Sequence, residues 1–378
     1  MLDSLKQYAR HSLALKRLYL WYLIRSQDCL PDWDKILSAD RELWDTALRA
    51  AKNGPNVLVA TNTGGLMPMS TVESMLTAAL TLRGANVHVM LCDEALPGCL
   101  MCHGGLYPNR KQFVKYGPSK DACKGCFKPA MDMYRSFGVT VHRYSELLSP
   151  EDSREAEAIS SALPYEEIGR YVVDGVAVGE HALAGALRFY ARGTLEGEPY
   201  AEPVLRRYLK AALLTVYATR RLLSKIDFES AVFLHGIYVP QGLTGEMCRK
   251  MKVRVVNWNP AYRKRCFIFS HGDTYHHTLM SEPLSKWADL HWTPQMEAEV
   301  MDYLKSRWEG TNDWIWYHDR PEADLNYIAH EVGVNFSKPC IGMLTNVVWD
   351  AQLHYPANAF PNMLEWVLQT INYFSRRP

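Results

Sequence analysis

No stretch of this 378-residue chain approaches the roughly 18 consecutive apolar residues that a membrane-spanning helix requires. Charge of one sign is missing too. Lysine plus arginine total 42 against 41 acids, which argues against a general nucleic-acid-binding surface. There is no GxGxxG fingerprint and no Walker lysine, so neither a dinucleotide nor a P-loop site can be assigned. No secretory leader pattern opens the sequence, and the nine cysteines are odd in number. With two CxxC pairs, these features favour a reducing, cytoplasmic setting over a disulfide scaffold.

Close to half of the residues are hydrophobic, enough to bury a sizeable core. Residues 2–26 read as a basic helix bearing Tyr8, Tyr19, Trp21 and Tyr22. It either packs on the body or touches the anionic inner face of a membrane. A second helix is expected over 38–52. The strand 56–61 then runs into Asn62-Thr63-Gly64-Gly65, a helix from Thr71 to Leu82 and a strand at 85–91. Strand, glycine turn, helix, strand is the opening of a parallel αβα sheet. Further strands are expected at 139–143, 231–234, 253–256 and 266–269. Helices are expected at 151–162 and 202–225. In the second, Leu205, Leu209, Ala212 and Val216 form the buried stripe, with Arg206, Arg207 and Lys210 outside.

The expected fold class is α/β, a Rossmann-like αβα lobe with a cysteine-rich metal-binding insertion and the start of a second such lobe. Residues 1–55 form an N-terminal helical segment and 56–290 the first lobe, with the insertion at 92–126. Residues 291–336 connect through helices near 294–308 and 322–332 and the aromatic stretch 314–318. Residues 337–378 begin an incomplete second lobe, from a strand at 340–344 and a helix over 362–373.

Within the insertion, Cys99-x2-Cys102 and Cys123-x2-Cys126 have the spacing that closes tetrahedrally around structural zinc. An iron–sulfur cluster can use the same sulfurs, and metal-free thiols or a redox pair are the remaining readings. Cys92 and His103 are spare donors, and Arg110, Lys111, Lys115, Lys120, Lys124 and Lys128 supply positive charge nearby.

Chemistry is expected where core strands end. Asn62, Thr63, Gly64 and Gly65 follow the first strand, where open αβα sheets receive ligands. His235 ends a later strand and suits general-base work, with Glu246 on the helix beyond it. Ser270-His271-Gly272-Asp273 offers two more candidates, His271 and Asp273. Arg263 suits a phosphate or carboxylate, and Asn346 and Asp350 follow the expected strand of the second lobe.

Taken together, CDEALPGCLMC, CKGCF, DGVAVGEHA, FLHGIYVPQG, SHGDTYHH and LTNVVWDAQLHYPANAFPNMLEWVLQTINYF resemble bacterial capsule and surface-polysaccharide biosynthesis proteins, two-lobed GT-B-like glycosyltransferases. The resemblance implies transfer of a sugar from a nucleotide-activated donor to a carbohydrate acceptor, without a catalytic metal. It puts His235, His271 and Asp273 on the acceptor side and Asn346 and Asp350 at the start of the donor lobe, with a peripheral membrane or polysaccharide-assembly contact. The greater part of that donor lobe has no counterpart in this sequence. Two alternatives accompany this reading: a non-catalytic carbohydrate-binding or assembly subunit, and a polyol-phosphate transferase.

Overall fold

The structure, a computed structural model, describes residues 30–261, 263, 265–278, 282–308, 322, 324–345, 347–350 and 358–377. The helix expected at 2–26, the aromatic stretch 314–318 and Asn346 lie outside the described residues.

Two short helices, α1 (Trp33–Ser38) and α2 (Arg41–Ala51), precede the sheet, each opened by an aspartate. Asp32 and Asp40 accept the backbone N–H of Lys35 and Leu43, satisfying donors that a helix start leaves unpaired. The sheet strands are β1 (Asn56–Asn62), β2 (Asn86–Leu91), β3 (Thr140–Arg143), β4 (Ser230–Leu234), β5 (Arg254–Pro260) and β6 (Phe267–His271). Their order is β3-β2-β1-β4-β5-β6, with the first five parallel and β6 antiparallel to β5. This is the order of doubly wound folds, whose ligand crevice opens where the winding reverses, between β1 and β4.

Side-chain alternation along the strands builds two cores. Val57, Val59, Val87, Val89, Val232, Leu234 and Trp258 point to one face, against α1, α2, α3 (Met67–Leu82) and the later helix that carries Met133, Tyr134 and Phe137. Leu58, Ala60, Met90, Ala231 and Phe233 point to the other. The region 92–126 is not a free-standing insertion. It contains α4 (Arg110–Tyr116) and the first turns of α5 (Lys120–Arg135), the helix that carries the chain from β2 back to β3.

The second face is covered by α6 (Tyr144–Leu147), α7 (Pro150–Ala162), α8 (Val178–Tyr190), α9 (Ala201–Lys225) and α10 (Leu243–Lys250). In α9 the expected stripe holds, with Leu205, Leu209, Ala212 and Val216 all buried. The arginines beside it are not merely solvated, because the neighbouring loops use them. Arg206 donates to the carbonyls of Ser160 (2.7 Å) and Leu163 (2.8 Å), and the Arg207 guanidinium lies 5.6 Å from the Phe113 ring.

Beyond β6 come α11 (Tyr275–Thr278), α12 (Pro294–Trp308), α13 (Leu325–Val332) and α14 (Met363–Ser375). The strand expected at 340–344 does not form. Residues 340–344 are irregular and mostly exposed, and among the described residues they pair with neither open edge of the sheet, β3 or β6. No second sheet exists among the described residues, and none of their helices is long and apolar enough to cross a membrane.

One buried pair ties β2 to β3. His88 Nδ1 lies 2.9 Å from His142 Nε2, the rings stack at 5.2 Å, and the Asn86 amide meets His88 Nε2 at 3.1 Å. Burial, with His142 beside it, pushes the His88 pKa down from 6.5 to about 4. Between those values the unfolded chain binds a proton that the folded one refuses. The stability held by neutral His88 is therefore complete above about pH 6.5 and lost as pH falls towards about 4. Urea titrations across this range are expected to show that slope in the native protein and a flatter one in His88→Gln; equal slopes would remove His88 from the account.

Candidate functional site

At the carboxyl end of β1 the backbone turns through Asn62, a non-glycine residue in the left-handed region (φ 57°). Its side chain is fully buried and committed. The amide donates to the Ala60 carbonyl (2.9 Å) and its oxygen accepts the Tyr144 hydroxyl (2.7 Å). Its backbone carbonyl accepts the Cys92 N–H at 2.8 Å, which fixes where the chain leaves β2. Asn62 is thus a builder of the turn, and the substrate contact expected of it has no free polar group to rest on.

Gly64 and Gly65 have a definite neighbour. A Cβ on Gly64 would stand 2.4 Å from the Ala130 Cβ and 2.6 Å from the Cys126 carbonyl oxygen. One on Gly65 would stand 3.0 Å from Cys126 Sγ and 3.2 Å from Met101 Cε. The glycines let β1 approach α5 and the first CxxC turn closely; this packing accounts for them without a substrate.

β4 ends beside β1, with Val232 paired to Val59. Thr63 Oγ1 accepts from the Gln241 amide at 3.3 Å, joining the two strand ends. The gap between them, lined by Thr61, Thr63, Ser70, Glu73, Leu234 and Gln241, is closed by these buried side chains and leaves no room for a water molecule. Gln241 is buried, and its side-chain oxygen has no hydrogen-bond partner in the structure.

Glu73 escaped the sequence reading, which counted it as part of an ordinary helix. It is the single charged residue of α3, set among Ser70, Ser74, Thr77 and Thr81, all buried. A lone acid in a stripe of small hydroxyl residues was the available signal. Its Oε1 accepts the Leu234 N–H (3.1 Å) and the Trp258 indole N–H (3.2 Å), bridging β4 and β5. Burial raises its pKa from 4.5 to about 7, against the opposing hydrogen bonds of Thr61, Trp258 and Leu234.

His235 is half-buried directly after β4, at φ 34°. Its Nδ1 accepts the Ile237 N–H at 3.2 Å, so the neutral ring carries its proton on Nε2. The ring packs edge-on against Tyr238 at 5.9 Å, and the Tyr238 hydroxyl donates to Asp350 Oδ1 at 2.6 Å. The Arg188 guanidinium lies 5.6 Å from the Tyr238 ring and 5.7 Å from that of Trp349. His235 and Asp350, distant in sequence, thus both contact Tyr238, with Arg188 as an unanticipated cation beside its ring.

The other expected residues scatter. Glu246 accepts the Ala177 N–H (2.8 Å) and pairs with the buried His181 at 2.8 Å, bracing α10 against α8. Burial opposes ionisation of Glu246, and His181 together with the hydrogen bonds outweighs it, so its pKa lies below the ordinary value. Arg263 is exposed in the connection from β5 to β6. His271 and Asp273 do not join His235. Because β6 runs antiparallel, His271 pairs with Val256 and the Gly272 N–H bonds to the Val255 carbonyl, at the amino end of the sheet. There Asp273 is held by Arg249 (2.9 Å) and His277 (2.8 Å), and its pKa is lowered. An ion-paired carboxylate at the opposite edge is a structural brace, which corrects the expected catalytic placement of both residues.

The cysteine module packs against the turn after β1 and the segment after β4. Cys99–Cys102 is a tight turn closed by the Cys102 N–H on the Cys99 carbonyl (2.9 Å), with the sulfurs 4.0 Å apart. Its Leu100 N–H bonds to the Val239 carbonyl (2.8 Å), Arg188 donates to the Leu100 carbonyl (2.5 Å), and Tyr208 donates to the carbonyls of Cys99 and Cys102 (3.3 and 3.1 Å). Cys123 and Cys126 share one face at the start of α5, and Cys126 Sγ accepts the Gly65 N–H at 2.9 Å. Burial pushes the Cys123 and Cys126 thiols up to about 12. The hydrogen bond from Cys102 draws Cys99 down and Cys102 correspondingly up. Among the described residues, no three His, Cys, Asp or Glu side chains converge tightly enough to enclose a metal ion. The donor chemistry fits a thiophilic cation, and the Cys99–Cys102 separation is close to the edge of a tetrahedral thiolate site (about 3.8 Å for metal–sulfur bonds of about 2.3 Å). Arg110, grouped by sequence with the cations around these thiols, is pinned instead by the Gly104 and Tyr107 carbonyls at 2.9 and 2.8 Å.

The sequence matches no known family profile and no curated protein. The fold is mixed α/β around a mostly parallel six-stranded sheet, compatible with a Rossmann-like lobe.

Gly64→Ala is expected to destabilise the protein by about 1–3 kcal/mol, since the added methyl meets backbone and a helical Cβ; chemical denaturation measures it, and an unchanged midpoint would contradict the packing account. For Glu73 the pH effect has the opposite sign to that of His88. Between pH 4.5 and about 7 the unfolded chain releases a proton that folded Glu73 keeps, so stability falls as pH rises through that window. Glu73→Gln keeps an acceptor for Leu234 and Trp258, and its stability relative to the native protein is expected to improve steadily from pH 4.5 to 7.

Proposed function

We propose that the chain is a glycosyltransferase, or the acceptor-binding lobe of one, moving a sugar from a nucleotide-activated donor to a carbohydrate acceptor in surface-polysaccharide synthesis. The observation that carries this reading is the connection from His235 through Tyr238 to Asp350, directly after the carboxyl end of β4. It joins the motif expected on the acceptor side to the motif expected on the donor side. The Rossmann-like strand order supports the same reading, because such sheets receive ligands at the carboxyl ends of their strands.

In this reading the acceptor hydroxyl lies near His235 and Asp350. The bond from the Ile237 N–H to Nδ1 sets the tautomer of a neutral His235 ring, with its proton on Nε2. Proton acceptance then falls to Asp350, whose carboxylate is exposed and held by Tyr238. The deprotonating hydroxyl oxygen forms its bond to the anomeric carbon as the bond from that carbon to the nucleotide phosphate breaks. Negative charge develops on the departing phosphate, and Arg188 and Arg263 are the cations suited to it. His271, Asp273 and Glu246 have no part in these steps.

The purified chain incubated with radiolabelled nucleotide sugars and oligosaccharide acceptors is expected to form a glycosidic product. Asp350→Asn is expected to lower kcat by about 10²-fold or more, with the thermal midpoint little changed because the amide oxygen can still accept from the Tyr238 hydroxyl. Label transferred only from polyol nucleotides would replace this reading with polyol-phosphate transfer. Saturable glycan binding without turnover would replace it with a binding subunit.

A further inference from the structure

The cysteine module asks for something that the transfer chemistry does not use. Its two CxxC pairs come from unlike elements, a turn after β2 and the start of α5, yet both close on Gly65. A Cβ there would touch Cys126 Sγ on one side and the methyl of Met101, inside the first pair, on the other. The Cys99–Cys102 turn is held by backbone and side-chain bonds from α8, α9 and the segment after β4, so it is a built platform and no loose loop. On the other side, Cys126 already receives an N–H hydrogen bond from Gly65, of the kind that supports sulfur carrying negative charge.

We propose that Cys99, Cys102, Cys123 and Cys126 bind one zinc ion, and that this ion fixes the β1–α3 turn. Coordination replaces each S–H with an S–Zn bond and sends the proton to solvent, four protons per ion. The first pair already has the required sulfur separation. Closure needs the two pairs to draw together, with Cys126 keeping its bond from the Gly65 N–H. The resulting charge is shared by the Gly65 N–H on Cys126 and by Arg188, bonded to Leu100 inside the first pair. Cys92 lies near the same thiols and is left as a neighbour of the site, because the two pairs already supply the four sulfurs of a closed tetrahedral centre. The ion would act as a staple: removing it unties the start of α5 from the Cys99–Cys102 turn and loosens the β1–α3 turn packed between them.

Protein purified without chelators should contain stoichiometric zinc by elemental analysis, released in step with mercurial titration of four thiols. Cobalt(II) added to the apoprotein should give the intense visible absorption and thiolate charge-transfer band of a tetrahedral sulfur site. Serine at Cys99, Cys102, Cys123 or Cys126 should abolish that spectrum, and Cys92→Ser should preserve it. Hydrogen exchange should show the Gly65 amide more strongly protected in the loaded protein than after zinc removal. Iron with acid-labile sulfide, a metal-free protein with no cobalt spectrum, or loss of the spectrum in Cys92→Ser would each overturn the proposal. Should the serine variants fail to fold, the mercurial and exchange measurements on the native chain still decide it. None of these readouts depends on transfer activity, so this proposal and the functional one fail separately.

Discussion

The structure depends most on how the chain turns at Asn62. A fully buried amide in a left-handed backbone conformation is costly unless its hydrogen bonds are met within the protein. Ala60, Tyr144 and Cys92 meet them here, drawn respectively from β1, from α6 and from the end of β2. One residue therefore sets where β1 stops, where β2 releases the cysteine turn and how α6 seats on the sheet. The two glycines that follow can approach α5 only because Asn62 has aimed them there.

From that turn the other parts of the site follow. Glu73 reaches across from α3 to bind the last N–H of β4 and the indole of β5, so the strand end that carries His235 is held from beneath. The Cys99–Cys102 turn holds it from above through Val239. Arg188 connects this turn to the aromatic pair Tyr238 and Trp349, which is how the segment near Asp350 comes to rest on the sheet domain. A buried carboxyl, a thiol-bearing turn and a cation beside two rings thus converge on six residues, Leu234–Val239.

Much of this was legible in the residues. Asn56–Asn62, Asn86–Leu91, Ser230–Leu234 and the stripe of α9 all carried the periodicity of the element they form. The position of His235 at a strand end was readable for the same reason. Strand direction was not. A short strand after a turn looks alike in either direction, and the antiparallel return of β6 carried His271 and Asp273 to the far edge. The apolar run at Cys340–Leu344 looked like a strand, but a strand needs an edge to bond to, and sequence alone does not supply one. Gly64 and Gly65 were read as a turn that receives a ligand; that the body approaching them is α5 was a tertiary fact. Glu73 was hidden by the opposite error, since a single acid in a helix reads as solvated until the sheet is seen to cover it.

The reversal at β6 also divides labour along the strands. Asp273, Arg249 and His277 form a polar clasp at the lower rim, while His235, Tyr238 and Asp350 occupy the upper one. The length of β5 separates them, and the clasp ties α10 to the edge strand without reaching the upper rim. Substitutions at one rim can therefore retune the cohesion of the sheet while the chemistry at the other is left alone. The two ends of the same sheet are free to change at different rates.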